Sequence, residues 1–317
     1  MDVGMTKKGP GKSYRKGMSL IEAVQQFSDE EAAHQWLVER RWPEGIRCLA
    51  CEGENVKRRK SQRKTPVLHC NDCKYEFTVK TDTVMHNSKL PLSKWVLAFY
   101  LFSTSIKGVS SMKLHRDLNI TQKNAWHMAH RIRETWDTGT VVFAGPVEAD
   151  EVYIGGLEKN KHANKKMKAG RGVAGKKPVV GVIDRPTNQI VTQVVDSTDK
   201  ETLQGFVEGH TQEGAQVYTD DHRGYQGIAR AHEVVKHSSG EYVKEQAHTA
   251  GMDSHWAMFR RGLTGTYHHV SEKHLQRYTT EFAGRHNSRP LDTIDQMTAM
   301  AQGSVGKRLP YKELIAE

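Results

Sequence analysis

Four cysteines carry the most narrowly constrained chemistry in this chain. They fall in the pattern C-x2-C-x18-C-x2-C, at Cys48, Cys51, Cys70 and Cys73. Two such knuckles across a β-hairpin present four thiolates in a tetrahedron, the geometry that Zn²⁺ prefers. Four sulfur ligands leave no position open for a substrate, so the zinc is expected to be structural. Four ordinary buried cysteines would rarely fall into two such pairs. A disulfide scaffold would spread its cysteines along a much smaller chain. Between the pairs run Lys57, Arg58, Arg59 and Lys60, a basic strip well placed to meet phosphates. Taken alone, such a strip reads sooner as a solvated loop; the neighbouring cysteine site and helices tip it towards DNA.

Three acidic residues stand out in the second half. Asp150 lies within Val-Glu-Ala-Asp-Glu-Val-Tyr-Ile, Asp220 closes Val-Tyr-Thr-Asp, and Asp253 sits in Gly-Met-Asp-Ser-His-Trp. Two carboxylates at strand ends and a third on a helix can converge on a pair of Mg²⁺ ions, which take hard oxygen ligands. Such two-metal sites serve phosphoryl transfer. Spacing alone does not choose among the acids. Carboxylates at strand ends are common as turn and cap residues, and Glu151 and Asp221 compete with their neighbours.

The elements that must hold these groups can be read from periodicity. Ser19 with Glu22, and Ser28 with Glu31, form capping-box patterns that open two helices within residues 18–45. Residues 46–82 alternate short extended pieces with turns around the cysteines. Within 88–138, an apolar helix from Ser93 to Thr104 is followed by helices starting near Ser110 and Thr121. The last carries His127, His130, Arg131 and Arg133, so three helices with short turns suggest a helix-turn-helix, with Arg131 and Arg133 as DNA contacts. Beyond Gly139, strands are predicted at Val147–Ile154, Val179–Asp184, Ile190–Asp196, Ala215–Thr219 and His232–His237. A helix is predicted at Asp199–Gly209, and helical sequence from Asp253 to Asn287 with a break at Gly262–His269. That order predicts a mixed α/β sheet whose first three strands form an antiparallel meander. A polar insertion, Lys159–Lys177, follows the first strand, and Lys161, Lys165 and Lys166 within it are candidate DNA contacts. Residues 1–17 read as a disordered basic tail, or in part as an upstream-start artefact, and 291–317 as a C-terminal tail.

The net charge of +10 favours polyanionic partners without proving one. No apolar run approaches the ~18 residues of a membrane span, and the N-terminus has no apolar signal core. No membrane association is expected, and the expected location is cytoplasmic and nucleoid-associated.

Several longer stretches resemble one family. Val-Glu-Ala-Asp-Glu-Val-Tyr-Ile-Gly-Gly (147–156), Thr-Asp-Lys-Glu-Thr-Leu (198–203) and Val-Tyr-Thr-Asp-Asp-His-Arg-Gly-Tyr (217–225) are similar to insertion-sequence transposases with an ISXO-type domain, the family numbered fifteen-ninety-five. So are Gly-Thr-Tyr-His-His-Val-Ser-Glu-Lys-His-Leu-Gln-Arg-Tyr (265–278), Arg-Trp-Pro-Glu-Gly (41–45) and Lys-Gly-Val-Ser-Ser (107–111). The resemblance implies an RNase H-like fold for residues 145–290, behind the zinc ribbon and helix-turn-helix. It implies a DDE-type site in which Asp150, Asp220 and Asp253 hold Mg²⁺ or Mn²⁺. It also implies binding of terminal inverted repeats, cleavage and joining to target DNA, and a homodimer or higher assembly on DNA. Where the family's last motif has asparagine and glutamate, this chain has Ala250 and Asp253, and Leu49 replaces a proline after the first cysteine. A catalytically weakened or inactive DNA-binding relative is the alternative that those departures favour. A zinc-ribbon nuclease without transposition is the third reading.

Overall fold

The computed structural model describes residues 16–60, 65–137, 139–156, 175–235 and 248–316. It divides into two compact units, Met1–Asp137 with Ser288–Glu317, and Thr138–Asn287.

In the first unit, α1 (Leu20–Phe27) is opened by the capping box predicted at Ser19 and Glu22. The start of α2 (Glu30–Arg41) differs from expectation: Asp29, not Ser28, is the N-cap and accepts from the Ala32 amide. Glu31 is thereby released from capping and takes Arg58 instead, at 2.5 and 2.8 Å. β1 (Val56–Arg59), β2 (Val67–Cys70) and β3 (Glu76–Phe77) form an antiparallel ribbon with Val56 opposite Cys70. α3 (Leu92–Thr104) is the apolar helix, with Trp95, Phe99 and Phe102 fully buried. Its N-cap, Pro91, has no side-chain acceptor to offer, and Glu30 of α2 accepts from the Leu92 and Ser93 amides in its place. α4 (Ser111–Leu118) and α5 (Gln122–Glu134) start at hydroxyl caps, Ser110 and Thr121.

Residues 291–317 differ from the tail read in the sequence. α9 (Thr293–Gln302) packs on α3 and α2. Met297, Met300 and Ala301, three and four residues apart, bury one helix face in the same core. The short α10 (Tyr311–Ile315) follows, with Leu314 buried. These residues read as a tail because the helices on which α9 packs lie far earlier in the chain.

The second unit is a mixed α/β domain, as expected. Its strands β4 (Val147–Ile154), β5 (Lys177–Asp184), β6 (Ile190–Val194), β7 (Gln216–Thr219) and β8 (Ala231–Val234) stand in the order β6-β5-β4-β7-β8. β4, β5 and β6 form the antiparallel meander, while β4–β7 and β7–β8 are parallel. α6 (Lys200–Gly209) covers one face through Leu203, Phe206 and Val207. α7 (Ala250–Gly262) and α8 (Glu272–Asn287) cover the other through Met252, Trp256, Phe259 and Phe282. The predicted break between them is a π-turn, Leu263–Tyr267.

Close packing holds this unit together. A Cβ on Gly181 of β5 would stand 2.5 Å from the Met252 methyl and 2.9 Å from the Trp256 ring, so glycine lets α7 approach the sheet. The exposed edge of β6 is closed by α8: Asn287 pairs both ways with the backbone of Ile190, and Gln276 with Val194 and Thr192. Glu281, fully buried on α8, accepts from Arg285 and from the Tyr267 hydroxyl at 2.7 Å.

His255 of α7 makes this packing pH-sensitive. Burial pushes its imidazole down to about 3, with His286 adding repulsion. The unfolded chain therefore binds a proton below about pH 6.5 that the folded chain refuses, and stability is lost as pH falls from 6.5 towards 3. The expected loss between pH 7 and pH 4.5 is about 2–3 kcal/mol, from ~1.4 kcal/mol per pH unit. Amide hydrogen exchange across α7 measures it. His255→Leu is expected to flatten the slope, and an equal slope in parent and variant would refute the assignment.

Candidate metal centres and nucleic-acid interface

The four cysteines converge. Sγ of Cys48 lies 3.5 Å from Sγ of Cys73, and that of Cys51 lies 3.7 Å from that of Cys70. A tetrahedron with Zn–S bonds of about 2.3 Å has edges of about 3.8 Å, so these sulfurs fit zinc. None of the four is joined in a disulfide. The Ala50 amide points at Cys48 Sγ at 3.4 Å, as a knuckle turn requires.

The basic strip lies on β1, with Lys57, Arg58, Arg59 and Lys60 all exposed. Arg58 is shared with Glu31, and Arg59 with Glu76. The two arginines expected from α5 are placed differently. Arg133 is only 2% exposed. It faces the core because Ala125, Ala129 and Ile132 set the buried face of α5 and Arg133 lies beside them. Arg131 is half-buried, and its Nε donates to the Leu309 carbonyl at 3.1 Å. What α5 leaves exposed is its first turn: Gln122, Lys123 and Asn124. Lys161, Lys165 and Lys166 lie outside the described residues.

In the second unit, β7 runs parallel to β4, with Glu148 opposite Tyr218. Two residues further along each strand, that register brings Asp150 beside Asp220. Carboxylate oxygens of Asp150, Glu151 and Asp220 all lie within 4.8 Å of one another. Burial, and then the charges of Glu151, Asp220 and Asp253, hold the Asp150 carboxyl well above the usual aspartate range. Burial and Asp220 likewise raise Glu151. Clustered, partly buried carboxylates that repel one another fit a divalent cation, which would remove the repulsion.

Glu151 thus joins the pair that the sequence singled out. Its Oε2 accepts from the buried Tyr225 hydroxyl at 3.0 Å. The Asp220 Oδ1 accepts from the His222 amide at 3.0 Å. Asp221 is exposed and stands outside this group. Asp253 is in the first turn of α7, near enough to raise Asp150 but outside the three-oxygen cluster.

Glu148, which the sequence reading passed over, is buried on β4 two residues before Asp150. Its Oε1 accepts from Arg185 Nε at 2.8 Å, and His248 Nδ1 stands 3.1 Å from the same oxygen. The i, i+2 spacing with Asp150 on β4 was the available signal, since both side chains must share one face.

The chain thus joins a ribbon with four clustered cysteines to an α/β domain with clustered carboxylates, and each group could hold a metal ion. Comparison with known proteins gives the rest. Residues 142–287 match the ISXO2-like transposase domain, and residues 28–76 the transposase zinc-ribbon domain. The chain is thus similar to transposases over both matched segments. It is also 29% identical, over 82% of its length and 91% of the relative's, to an uncharacterised protein in transposable element ISH50 of Halobacterium salinarum. No helix among the described residues is long and apolar enough to cross a membrane.

Proposed function

We propose that this protein is a DNA transposase that binds the terminal inverted repeats of its element, cleaves at their ends and joins them to target DNA. The observation that carries the reading is the convergence of Asp150 and Asp220, with Glu151, inside the domain matched to transposases. Strand order β6-β5-β4-β7-β8, with an antiparallel meander first and two parallel strands after, supports an RNase H-like fold. Bound divalent cations would activate the attacking oxygen and stabilise the leaving one in phosphoryl transfer. Asp150 and Asp220 supply the carboxylate oxygens from adjacent strands. Tyr225 holds Glu151 in place, and burial keeps that hydroxyl protonated so that it remains a donor. Two ends must be held together for joining, so the working form is a homodimer or larger assembly on DNA. The test is Mg²⁺- or Mn²⁺-dependent cleavage and strand transfer of a labelled element end by purified protein. DNA binding without any cleavage would favour the inactive-relative reading.

Asp253 is proposed as the third of the catalytic carboxylates. Aspartate is shorter than glutamate by about 1.5 Å, and Asp253 stands outside the cluster of the other three acids. Asp253→Glu combined with Ala250→Asn is therefore expected to raise single-turnover cleavage severalfold. A fall in rate would show Asp253 to be a working ligand in a compensated geometry.

Sequence recognition is assigned to α4 and α5, read as a helix-turn-helix. The turn at Asn119 is left-handed, with φ of 47°, which suits a short connection of this kind. Recognition helices read bases with their N-terminal residues, and here those are Gln122, Lys123 and Asn124. Each good base contact is worth about 1–3 kcal/mol of discrimination. Replacing all three by alanine is expected to lower the preference for the cognate end over random DNA at least tenfold in gel shifts. Lys57→Ala with Lys60→Ala is expected to weaken both DNAs alike and to flatten the salt slope. An unchanged preference in the triple variant would assign recognition elsewhere.

A further inference from the structure

We infer that Glu148 is the positioning residue of the carboxylate site: by tying the N-terminus of α7 to β4, it sets where Asp253 stands relative to Asp150. The inference rests on the transposase reading of that site.

A helix start leaves its first amides without partners inside the helix. α7 begins after Thr249, whose side chain makes no cap hydrogen bond. Glu148 supplies the missing acceptor from another element, with Oε2 accepting from the amides of Gly251 at 2.8 Å and Met252 at 3.3 Å. A carboxylate at a helix N-terminus also meets the positive end of the helix dipole. The other oxygen is held by Arg185, whose Nη2 donates to the His248 carbonyl at 2.7 Å and whose guanidinium lies 4.0 Å over the Tyr218 ring. Both oxygens of Glu148 are thus engaged. That explains why an acid on the same strand face as Asp150 stays out of the three-oxygen cluster.

The anchor lies next to the site. Glu148 and Asp150 are two residues apart on β4, about 7 Å. Gly251 and Asp253 are two residues apart on α7, about 3 Å along its axis. The bonded pair Glu148–Gly251 therefore adjoins the acid pair Asp150–Asp253, and a shift in one moves the other. Gly251 is part of the device: a Cβ there would stand 2.8 Å from Glu148 Oε2, so a side chain at this position would force the carboxylate to shift.

The test uses full-length, DNA-free protein and Mn²⁺ binding read by electron paramagnetic resonance, with melting followed in parallel. Glu148→Gln is expected to weaken Asp150-dependent Mn²⁺ binding about tenfold, the scale of lost support around metal ligands. In an Asp253→Ala background the same change is expected to have no further effect. Glu281→Gln, which breaks a buried ion pair on α8, is expected to lower melting while leaving Mn²⁺ affinity as in the parent. If Glu148→Gln does not fold, Gly251→Ala carries the same test, since its added methyl displaces the Glu148 carboxylate from the Gly251 amide while keeping the charges. Unchanged Mn²⁺ affinity, or a loss that persists undiminished without Asp253, overturns the inference while leaving the site reading intact. Parental Mn²⁺ binding that is absent or independent of Asp150 overturns the site reading, and this inference with it.

Discussion

Asp150→Asn and Asp220→Asn are each expected to lower cleavage of an element end by about 10³-fold or more, the equivalent of about 4 kcal/mol of transition-state stabilisation. Asparagine keeps the size of the side chain and one acceptor oxygen, but removes the charge that binds a divalent cation. The fold is expected to survive. Asp150 is crowded by the charges of Glu151, Asp220 and Asp253, so neutralising it relieves repulsion. Asp150→Asn should therefore melt at or above the parent temperature without divalent cations, and gain less stability than the parent when Mn²⁺ is added. Single-turnover cleavage and melting, run on the same preparations, separate lost chemistry from lost fold. Retained cleavage in either variant would remove that residue from the catalytic site.

Cys70→Ser combined with Cys73→Ser is expected to abolish zinc binding and, with it, the DNA affinity that the basic strip of the ribbon contributes. The ribbon has little else to hold it. Its fully buried side chains are Cys48, Leu68, Cys70 and Phe77, with Trp42, Ile46, Leu49 and Val56 partly buried around them. A core of that size does not fold unaided, whereas a structural zinc contributes about 10–16 kcal/mol. Metal analysis should fall from one zinc per chain to none, and affinity for the cognate end should fall about a hundredfold. The α/β domain is a separate compact unit, so its Asp150-dependent Mn²⁺ binding should persist. A zinc-free parent that is folded and binds the end normally would refute the zinc assignment.

What the sequence determined by itself was local or written in long motifs. The cysteine cluster was legible because both knuckles are short and thiolate chemistry allows few other readings of that spacing. Ser19 and Glu22 act within a single turn, so the cap of α1 could be read directly. The α/β order followed from periodicity, and the acidic residues followed from resemblance more than from spacing. Tertiary structure decided wherever a side chain had to choose among distant partners. Ser28 lost the cap of α2 to Asp29, and Glu31 went to Arg58. Arg133 looked like a surface cation on a basic helix, but the apolar face set by Ala125, Ala129 and Ile132 carried it inward. Residues 293–302 read as part of a tail until α3 supplied a partner. Glu151 joined Asp150 and Asp220 only once β7 lay parallel to β4. Glu148 reaches an amide 103 residues away. No local pattern encodes such a contact, because its free energy exists only after the sheet and α7 have met.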